Sequence, residues 1–296
     1  MSNKPKMDIL LCVTKLRTEE KMIIRELNLR NISVKVILDS MSLPLDEIFK
    51  GRYQLAIVRC LSQKEGLKRA QILDKCGLKT INDYNAITIC TNKILQSILF
   101  DRHQIPQPNY CIAFNPDNLK TVSNQLGGQF IIKPPSSSWG RGISLIENVC
   151  SLEAWIAARE SVDIRNQEFP VLTQEKINKG NFDIRVVIVG TTPLVAFKRV
   201  SNETWRTNTH LGASVIPVEL NQEIQELANK VTTLLGEGLY GLDLLYDFDK
   251  EKYLVCEVNQ NPEFSNSWEI HKVDISSYIA EFVSKRITND QEVSYG

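Results

Sequence analysis

The stretch Leu254-Val255-Cys256-Glu257-Val258-Asn259-Gln260-Asn261-Pro262-Glu263-Phe264 sets an acid and an amide two residues apart in an apolar run. Residues two apart on a strand share a face, so Glu257 and Asn259 point the same way. Burying both without a partner is costly. Upstream, Tyr240-Gly241-Leu242-Asp243-Leu244 adds a carboxylate on what reads as the paired strand. The two runs, Tyr240 to Phe248 and Tyr253 to Val258, are joined by the polar turn Asp249-Lys250-Glu251-Lys252. Two carboxylates and an amide oxygen suit a hard cation such as Mg²⁺, which also takes waters and substrate phosphates. A solvated polar sheet face would give the same pattern at Glu257 and Asn259. It explains Asp243, set among Gly and Leu, less well.

Working outward, Phe130-Ile131-Ile132-Lys133 reads as an apolar strand delivering one lysine into Pro134-Pro135-Ser136-Ser137-Ser138-Trp139-Gly140-Arg141-Gly142. A loop of small residues lets backbone N–H groups approach phosphate oxygens, and the lysine adds a point charge. It is not a Walker A loop, because GxxxxGK[ST] is absent. The plain alternative is a hairpin with an exposed lysine. Residues 136–142, rich in Ser and Gly, are expected to form a mobile lid. Leu172-Thr173-Gln174-Glu175-Lys176-Ile177 ends one β run and leads toward the next. A planar base commonly lies along such a linker between lobes.

The rest of the chain places these parts. Over the first ~90 residues, strand signals (Met7 to Val13, Ser33 to Leu38, Gln54 to Val58) alternate with helix signals (Thr18 to Arg30, and Ser62 to Cys76). That order predicts a parallel sheet and an α/β class, and the lack of GxGxxG disfavours a dinucleotide site there. Thr91 opens a helix over residues 92–104, which Pro106 and Pro108 stop. Strands are predicted over 110–114, 130–133 and 143–147, with helices over 116–126 and 151–161. Asp183 to Val189 and Leu194 to Val200 form a hairpin through Gly190-Thr191-Thr192-Pro193. Asn221 to Leu235 is an amphipathic helix, and Val273 to Ile287 closes the fold. The resulting domains are residues 1–90, 91–174 and 175–296.

Composition excludes several classes. The chain of 296 residues is 43% hydrophobic and 24% charged, enough for a large core and ordinary for a globular protein. Lys+Arg and Asp+Glu are both 35, so a generally basic nucleic-acid binder is disfavoured. The seven cysteines show no CxxC and, with three His, do not suggest a zinc site. Several lie in apolar runs, as expected of reduced thiols in a cytoplasmic protein. The N-terminal apolar run is too short for a signal peptide, and no stretch approaches the ~18 apolar residues of a membrane span.

The order of these parts resembles the ATP-grasp ligases, and within them the RimK-like branch. It is similar there to the lysine-biosynthesis ligases that join an amino acid to an amino-group carrier protein. The segments carrying the resemblance are Ser138-Trp139-Gly140-Arg141, Asp183-Ile184-Arg185-Val186, Trp205-Arg206-Thr207-Asn208-Thr209, Glu257-Val258-Asn259 and Glu263-Phe264-Ser265-Asn266-Ser267. It implies an N-terminal open α/β domain followed by two lobes clasping ATP. Lys93, Lys133, Lys198 and the lid residues Ser138, Trp139, Gly140, Arg141 and Gly142 would contact ATP. Gln174, Glu175, Lys176 and Ile177 would form the adenine hinge. Asp243, Glu257 and Asn259 would hold two Mg²⁺, with Mn²⁺ as a substitute. Arg185, Arg199 and Asn208 would lie by the transferred phosphate. Arg206, Thr209 and Glu263, Phe264, Ser265, Asn266 and Ser267 would receive the amino-acid substrate.

The implied activity is carboxylate–amine ligation through an acyl phosphate. The implied partners are an amino acid, a small acidic carrier protein or peptide, and further copies of the chain, with neither nucleic acid nor membrane. One departure stands out: the family's Ala-Arg-Gly-Gly after the Asn-Thr is His210-Leu211-Gly212-Ala213 here. A leucine replaces a cation that could pair with an acidic side chain. The alternative reading is a nucleotide-binding regulatory or scaffold protein with little turnover.

Overall fold

The computed structural model describes residues 7–137, 140–160, 169–201 and 214–293. The elements run β1 (Met7–Val13), α1 (Thr18–Leu29), β2 (Ile32–Leu38), α2 (Leu45–Phe49), β3 (Tyr53–Arg59), α3 (Gln63–Lys75), β4 (Thr80–Ile81), α4 (Tyr84–Cys90) and α5 (Lys93–Arg102). Next come β5 (Tyr110–Ala113), α6 (Pro116–Gln125), β6 (Phe130–Lys133), β7 (Ser144–Ile146), α7 (Val149–Glu160) and β8 (Val171–Glu175). The chain closes with β9 (Phe182–Gly190), β10 (Thr192–Val200), β11 (Ser214–Val218), α8 (Gln222–Leu235), β12 (Gly238–Asp247), β13 (Lys252–Asn259), α9 (Ser267–His271) and α10 (Ile275–Val293).

Among the described residues these strands build three sheets, ordered β2-β1-β3-β4, β5-β8-β6-β7 and β11-β10-β9-β12-β13. The first is parallel, as alternating strands and helices require, and the other two are antiparallel. Helix limits follow local chemistry. The Asn221 side chain accepts the Ile224 N–H at 2.9 Å, and Gly236, at φ 79°, stops α8. Between them Ile224, Leu227, Ala228, Val231 and Leu235 form the buried stripe.

Several sequence expectations shift. The residue capping α5 is Asn92, whose side chain accepts from Ile94 and Leu95, so the helix opens after Thr91 and ends at Arg102. The β9–β10 connection is tighter than expected, because both strands continue to Gly190 and Thr192. The short elements α2, β4, α4 and α9 carry too few periodic residues to announce themselves. Strand β11 holds Pro217, which argues against an interior strand, and it lies at a sheet edge where the missing N–H costs little.

Two cores matter for the site. The first mixes Ile9, Leu11 and Leu55 from the parallel sheet with Val187, Val195 and Leu239 from the five-stranded sheet, together with α10. Asn82 adds a polar link to that union. Its amide donates to the Leu239 and Gln260 carbonyls at 2.8 and 3.2 Å and accepts the Leu239 N–H at 2.6 Å. Gly238 leaves room for it, since a Cβ there would meet Asn82 Oδ1 at 2.6 Å. The four-stranded antiparallel sheet has its own core, with Phe130, Ile132, Leu152 and Val171 packed against α6 and α7.

Candidate functional site

The pairing of β12 with β13 sets the site. Asp243 lies opposite Glu257 and Gly241 opposite Asn259, but Leu244 pairs with Val255, so Cys256 is an extra residue. Such a bulge lets consecutive side chains turn to one side. Cys256 and Glu257 both line the same cleft. On the other side of β12, Asp243 pairs with Arg185 and Gly241 with Val187 of β9. Gly241 has no side chain because Arg185 lies across it: a Cβ there would be 3.1 Å from Arg185 Nη1.

Charges then interlock. Arg185 grips Asp243 with two N–H groups, the Nη2 bond being 2.8 Å, and Arg199 Nη2 reaches the same carboxylate at 3.1 Å. Arg199 also holds Asp183 in a bidentate pair at 2.7 and 2.9 Å. The Asn259 amide donates to Glu257 at 3.1 Å and to Asp243 at 3.4 Å. Lys93 Nζ lies 3.3 Å from Glu257 and donates to the Ser137 carbonyl at 2.7 Å. Lys133 Nζ sits 3.5 Å from the Cys256 sulfur.

The electrostatics follow from burial and partners. Burial raises the Glu257 carboxyl, but Lys93 and Lys133 outweigh it and bring it down to about 2. Burial pushes the Asp243 carboxyl upward against the pull of Arg185 and Arg199, with Glu257 adding to the rise. Burial also opposes the charge on Arg199, yet Asp243 and Asp183 hold its guanidinium ionised above the ordinary range. The site is a balanced set in which each buried charge depends on its partner.

These groups floor a cleft of about 280 Å³ between the two antiparallel sheets. Its apolar walls include Ile131, Ile143, Ile177 and Leu245. Gln174 is buried and its Oε1 has no partner, so the cleft offers an acceptor to a donor-bearing ligand. The root of the Ser/Gly loop is tied to the start of α5. Lys93 N–H donates to the Pro135 carbonyl at 2.8 Å, and Ser136 Oγ donates to the Thr91 carbonyl at 2.8 Å. Gly142 has φ 72°, and a Cβ there would lie 2.7 Å from Pro134, so this turn requires glycine.

The structure gathers most of the sequence-derived candidates. Lys93, Lys133, Gly140, Gln174, Glu175, Lys176, Ile177, Arg199, Asp243 and Glu257 line the cleft. Arg185 and Asn259 join through Asp243, and Arg141 is exposed beside Gly142 in the loop. Lys198 is not among the residues lining this cleft; its ammonium sits 3.6 Å above the Phe182 ring centroid. It neighbours Arg199 on a strand and so takes the opposite face. Glu263, Phe264, Ser265, Asn266 and Ser267 line a separate cavity of about 80 Å³ with Glu19 and Phe197. Ser138, Trp139, Arg206, Asn208 and Thr209, with Leu211, lie outside the described residues.

Asp183, Lys179 and Cys256 also line the cleft. Asp183 stood in a quoted segment, while Cys256 read as part of an apolar run until the bulge turned it. Among the described residues no three acidic, His or Cys side chains group as a metal set. The carboxylate pair with an amide, which can present its oxygen, nonetheless has the hard donors Mg²⁺ takes.

Comparison with known proteins agrees with this geometry. Residues 90–283 match the RimK-like ATP-grasp domain, and residues 9–89 match the LysX preATP-grasp domain. The alpha-aminoadipate–LysW ligase LysX of Saccharolobus solfataricus is 33% identical over 267 residues, spanning 90% of this chain and 96% of that protein. The glutamate–LysW ligase ArgX of Sulfolobus acidocaldarius is 30% identical over 280 residues, spanning 94% and 98%. Among solved structures, a RimK domain ATP-grasp protein from Sphaerobacter thermophilus superposes with a TM-score of 0.74 at 20% identity, covering 93% of this chain and 99% of that one. That likeness carries the fold. No helix among the described residues is long and apolar enough to cross a membrane.

Proposed function

The chain belongs to the RimK-like ATP-grasp family, and we propose that it is an ATP-dependent, ADP-forming ligase that joins an amino acid to a carboxylate of a small carrier protein or peptide. The observation that carries this reading is the convergence of Asp243, Glu257, Asn259, Arg185 and Arg199 on one sheet face, with Lys93 reaching in from the start of α5. The LysW ligases named above support the carrier and the amino acid as partners. In this reading residues 1–90, 91–174 and 175–296 are the functional units, ATP and two Mg²⁺ (or Mn²⁺) are the cofactors, and the cytoplasm is the compartment. Self-association is a further part of the proposal.

The chemistry needs no side-chain nucleophile. A carboxylate oxygen attacks the γ-phosphorus of ATP, the bond to the bridging oxygen breaks, and ADP leaves. The amine nitrogen then attacks the acyl carbon, phosphate leaves with the acyl C–O electrons, and the nitrogen loses its proton. Lys93 and Lys133 hold phosphate oxygens, and Arg185 and Arg199 stand where charge builds on the transferred phosphoryl. Gln174 and the backbone of Lys176 and Ile177 receive the base between the apolar walls, which keep water out. Asp243, Glu257 and Asn259 would hold Mg²⁺, which neutralises phosphate charge when bound.

The test is incubation with ATP, Mg²⁺, a peptide ending in glutamate and a panel of amino acids. ADP release requiring the peptide, and a peptide mass increased by one amino acid less water, are expected. Nucleotide binding without carboxylate-dependent ADP release would favour the scaffold reading instead.

A further inference from the structure

Strand β13 ends the five-stranded sheet, and among the described residues no further strand pairs with its outer edge. Backbone N–H and C=O groups leave an antiparallel strand on alternate sides, and a buried group without a partner is costly. Val258 is fully buried, and its backbone turns to that open edge. A single side chain completes it. Gln96, on α5, accepts the Val258 N–H at 2.7 Å through Oε1 and donates through Nε2 to the Val258 carbonyl at 3.1 Å. Nε2 also donates at 3.0 Å to the carbonyl of Cys90, the last residue of α4. One amide thus stands in for a strand partner, and at 3% exposure little water can replace it.

The place of this bond matters more than its strength. Val258 lies between Glu257 and Asn259, just after the bulge at Cys256. Before the bulge, the Val255 N–H donates at 2.7 Å to the carbonyl of Pro106, in the segment that follows α5. The edge is therefore clamped on both sides of Cys256 and Glu257. Loosely held register slips, and a slip of one residue sends every side chain to the other face. Pinned at Val255 and Val258, the extra residue stays at Cys256, and Glu257 keeps its aim into the cleft. Lys93 stands three residues before Gln96, on the same helical face, and reaches Glu257 at 3.3 Å. The helix that supplies the lysine is docked on the strand that supplies its carboxylate.

We propose that Gln96 is a positioning residue for the carboxylate–amide set. It fixes the register in which Glu257 and Asn259 meet Asp243, and with it their capacity to hold Mg²⁺ on a nucleotide. Gln96 is not among the residues that line the cleft, and it acts through Val258. This rests on the metal assignment within the ligase reading and adds to it a residue behind the site.

The test uses the full chain. Gln96→Met keeps the side-chain length and removes both polar atoms, while Gln96→Asn keeps the amide and draws it back by one carbon. Phe100→Leu, on the same helix but packed into the core around α8, is the control for lost stability alone. ADP is titrated by calorimetry in Mg²⁺ and again in EDTA, and backbone hydrogen exchange is followed over residues 254–261. Wild type should bind ADP more tightly in Mg²⁺ than in EDTA. Gln96→Met should lose roughly tenfold of that gain, the usual cost of removing a group that orients metal ligands, while its affinity in EDTA stays that of wild type. Exchange around Val258 should quicken. Gln96→Asn should lose a smaller part of the gain, and it decides the matter where Gln96→Met does not fold. Phe100→Leu should keep the gain while its Tm falls. An undiminished Mg²⁺ gain in a folded Gln96 variant overturns the proposal, as does an equal loss in Phe100→Leu or the lack of any gain in wild type. Peptide-dependent ADP release by wild type is measured separately. Its absence, beside a Mg²⁺ gain that Gln96→Met loses, would count against the ligase reading and leave the role of Gln96 standing.

Discussion

Gly241→Ala is a one-carbon change that the structure makes costly. The new Cβ would sit 3.1 Å from Arg185 Nη1 and 3.2 Å from its Cδ. Elsewhere in a strand, replacing Gly by Ala gains roughly 0.5–1 kcal/mol of backbone entropy. Here the guanidinium cannot step aside freely, because its Nε and Nη2 are both committed to Asp243. Pushing it away weakens a charge-assisted pair worth roughly 1.5–3 kcal/mol, and Asp243 is left with Arg199. The loss exceeds the gain by roughly 0.5–2.5 kcal/mol, which for this chain length lowers Tm by about 1–4 °C. The displaced guanidinium is one of the two that the proposed mechanism sets at the transferred phosphoryl, so peptide-dependent ADP formation should fall at least ~10-fold. Differential scanning fluorimetry and a coupled ADP assay measure the two effects. A Tm equal to or above wild type, with an unchanged rate, would refute the claim that Arg185 occupies the space above Gly241.

The carboxylate set gives sharper kinetic outcomes. Asp243→Asn, Glu257→Gln and Asn259→Ala should each cut ATP turnover by about a hundredfold or more with a native circular dichroism spectrum; rates within fivefold of wild type in all three would remove the metal assignment. Acid should act through Glu257. Its carboxyl is depressed from the usual 4.5 to about 2, so the stability it contributes is complete above pH 4.5 and is lost as the pH falls toward 2. Glu257→Gln should therefore flatten that part of the Tm–pH curve, by up to about 3 kcal/mol, and an identical curve would show that its lysine partners add nothing to stability.

The parts of the site that the sequence discloses are those encoded locally. Glu257 and Asn259 declare themselves by their spacing, and Lys133 by its place at the end of an apolar strand. Asn221 and Gly236 mark the ends of α8 by ordinary cap chemistry. What stays hidden depends on pairing or on distant contact. The bulge that turns Cys256 into the cleft is a property of two strands in register, and no single-strand period records it. Lys198 and Arg199 look alike in the chain, yet strand alternation sends one to the Phe182 ring and the other to the site. Glu19 sits 246 positions from Ser265, so nothing local to either residue foretells their bond.

The shared core of the first and third sheets decides which part of the molecule can move. Ile9 and Leu55 pack in one cluster with Val187 and Leu239, and Asn82 is bonded to both β12 and the segment after β13. Parting these units would strip a continuous apolar surface and orphan buried polar groups, so they behave as one stationary block. The β5-β8-β6-β7 sheet packs with α6 and α7 into a core of its own and meets the block through polar bonds such as Lys93 N–H to the Pro135 carbonyl, so it is the part expected to move. In the proposed ligase, nucleotide exchange is expected to swing that sheet and to carry Lys133 with it. Asp243, Glu257 and Asn259 stay on β12 and β13 within the block, so the carboxylates are expected to keep their spacing while Lys133 changes its distance from Cys256.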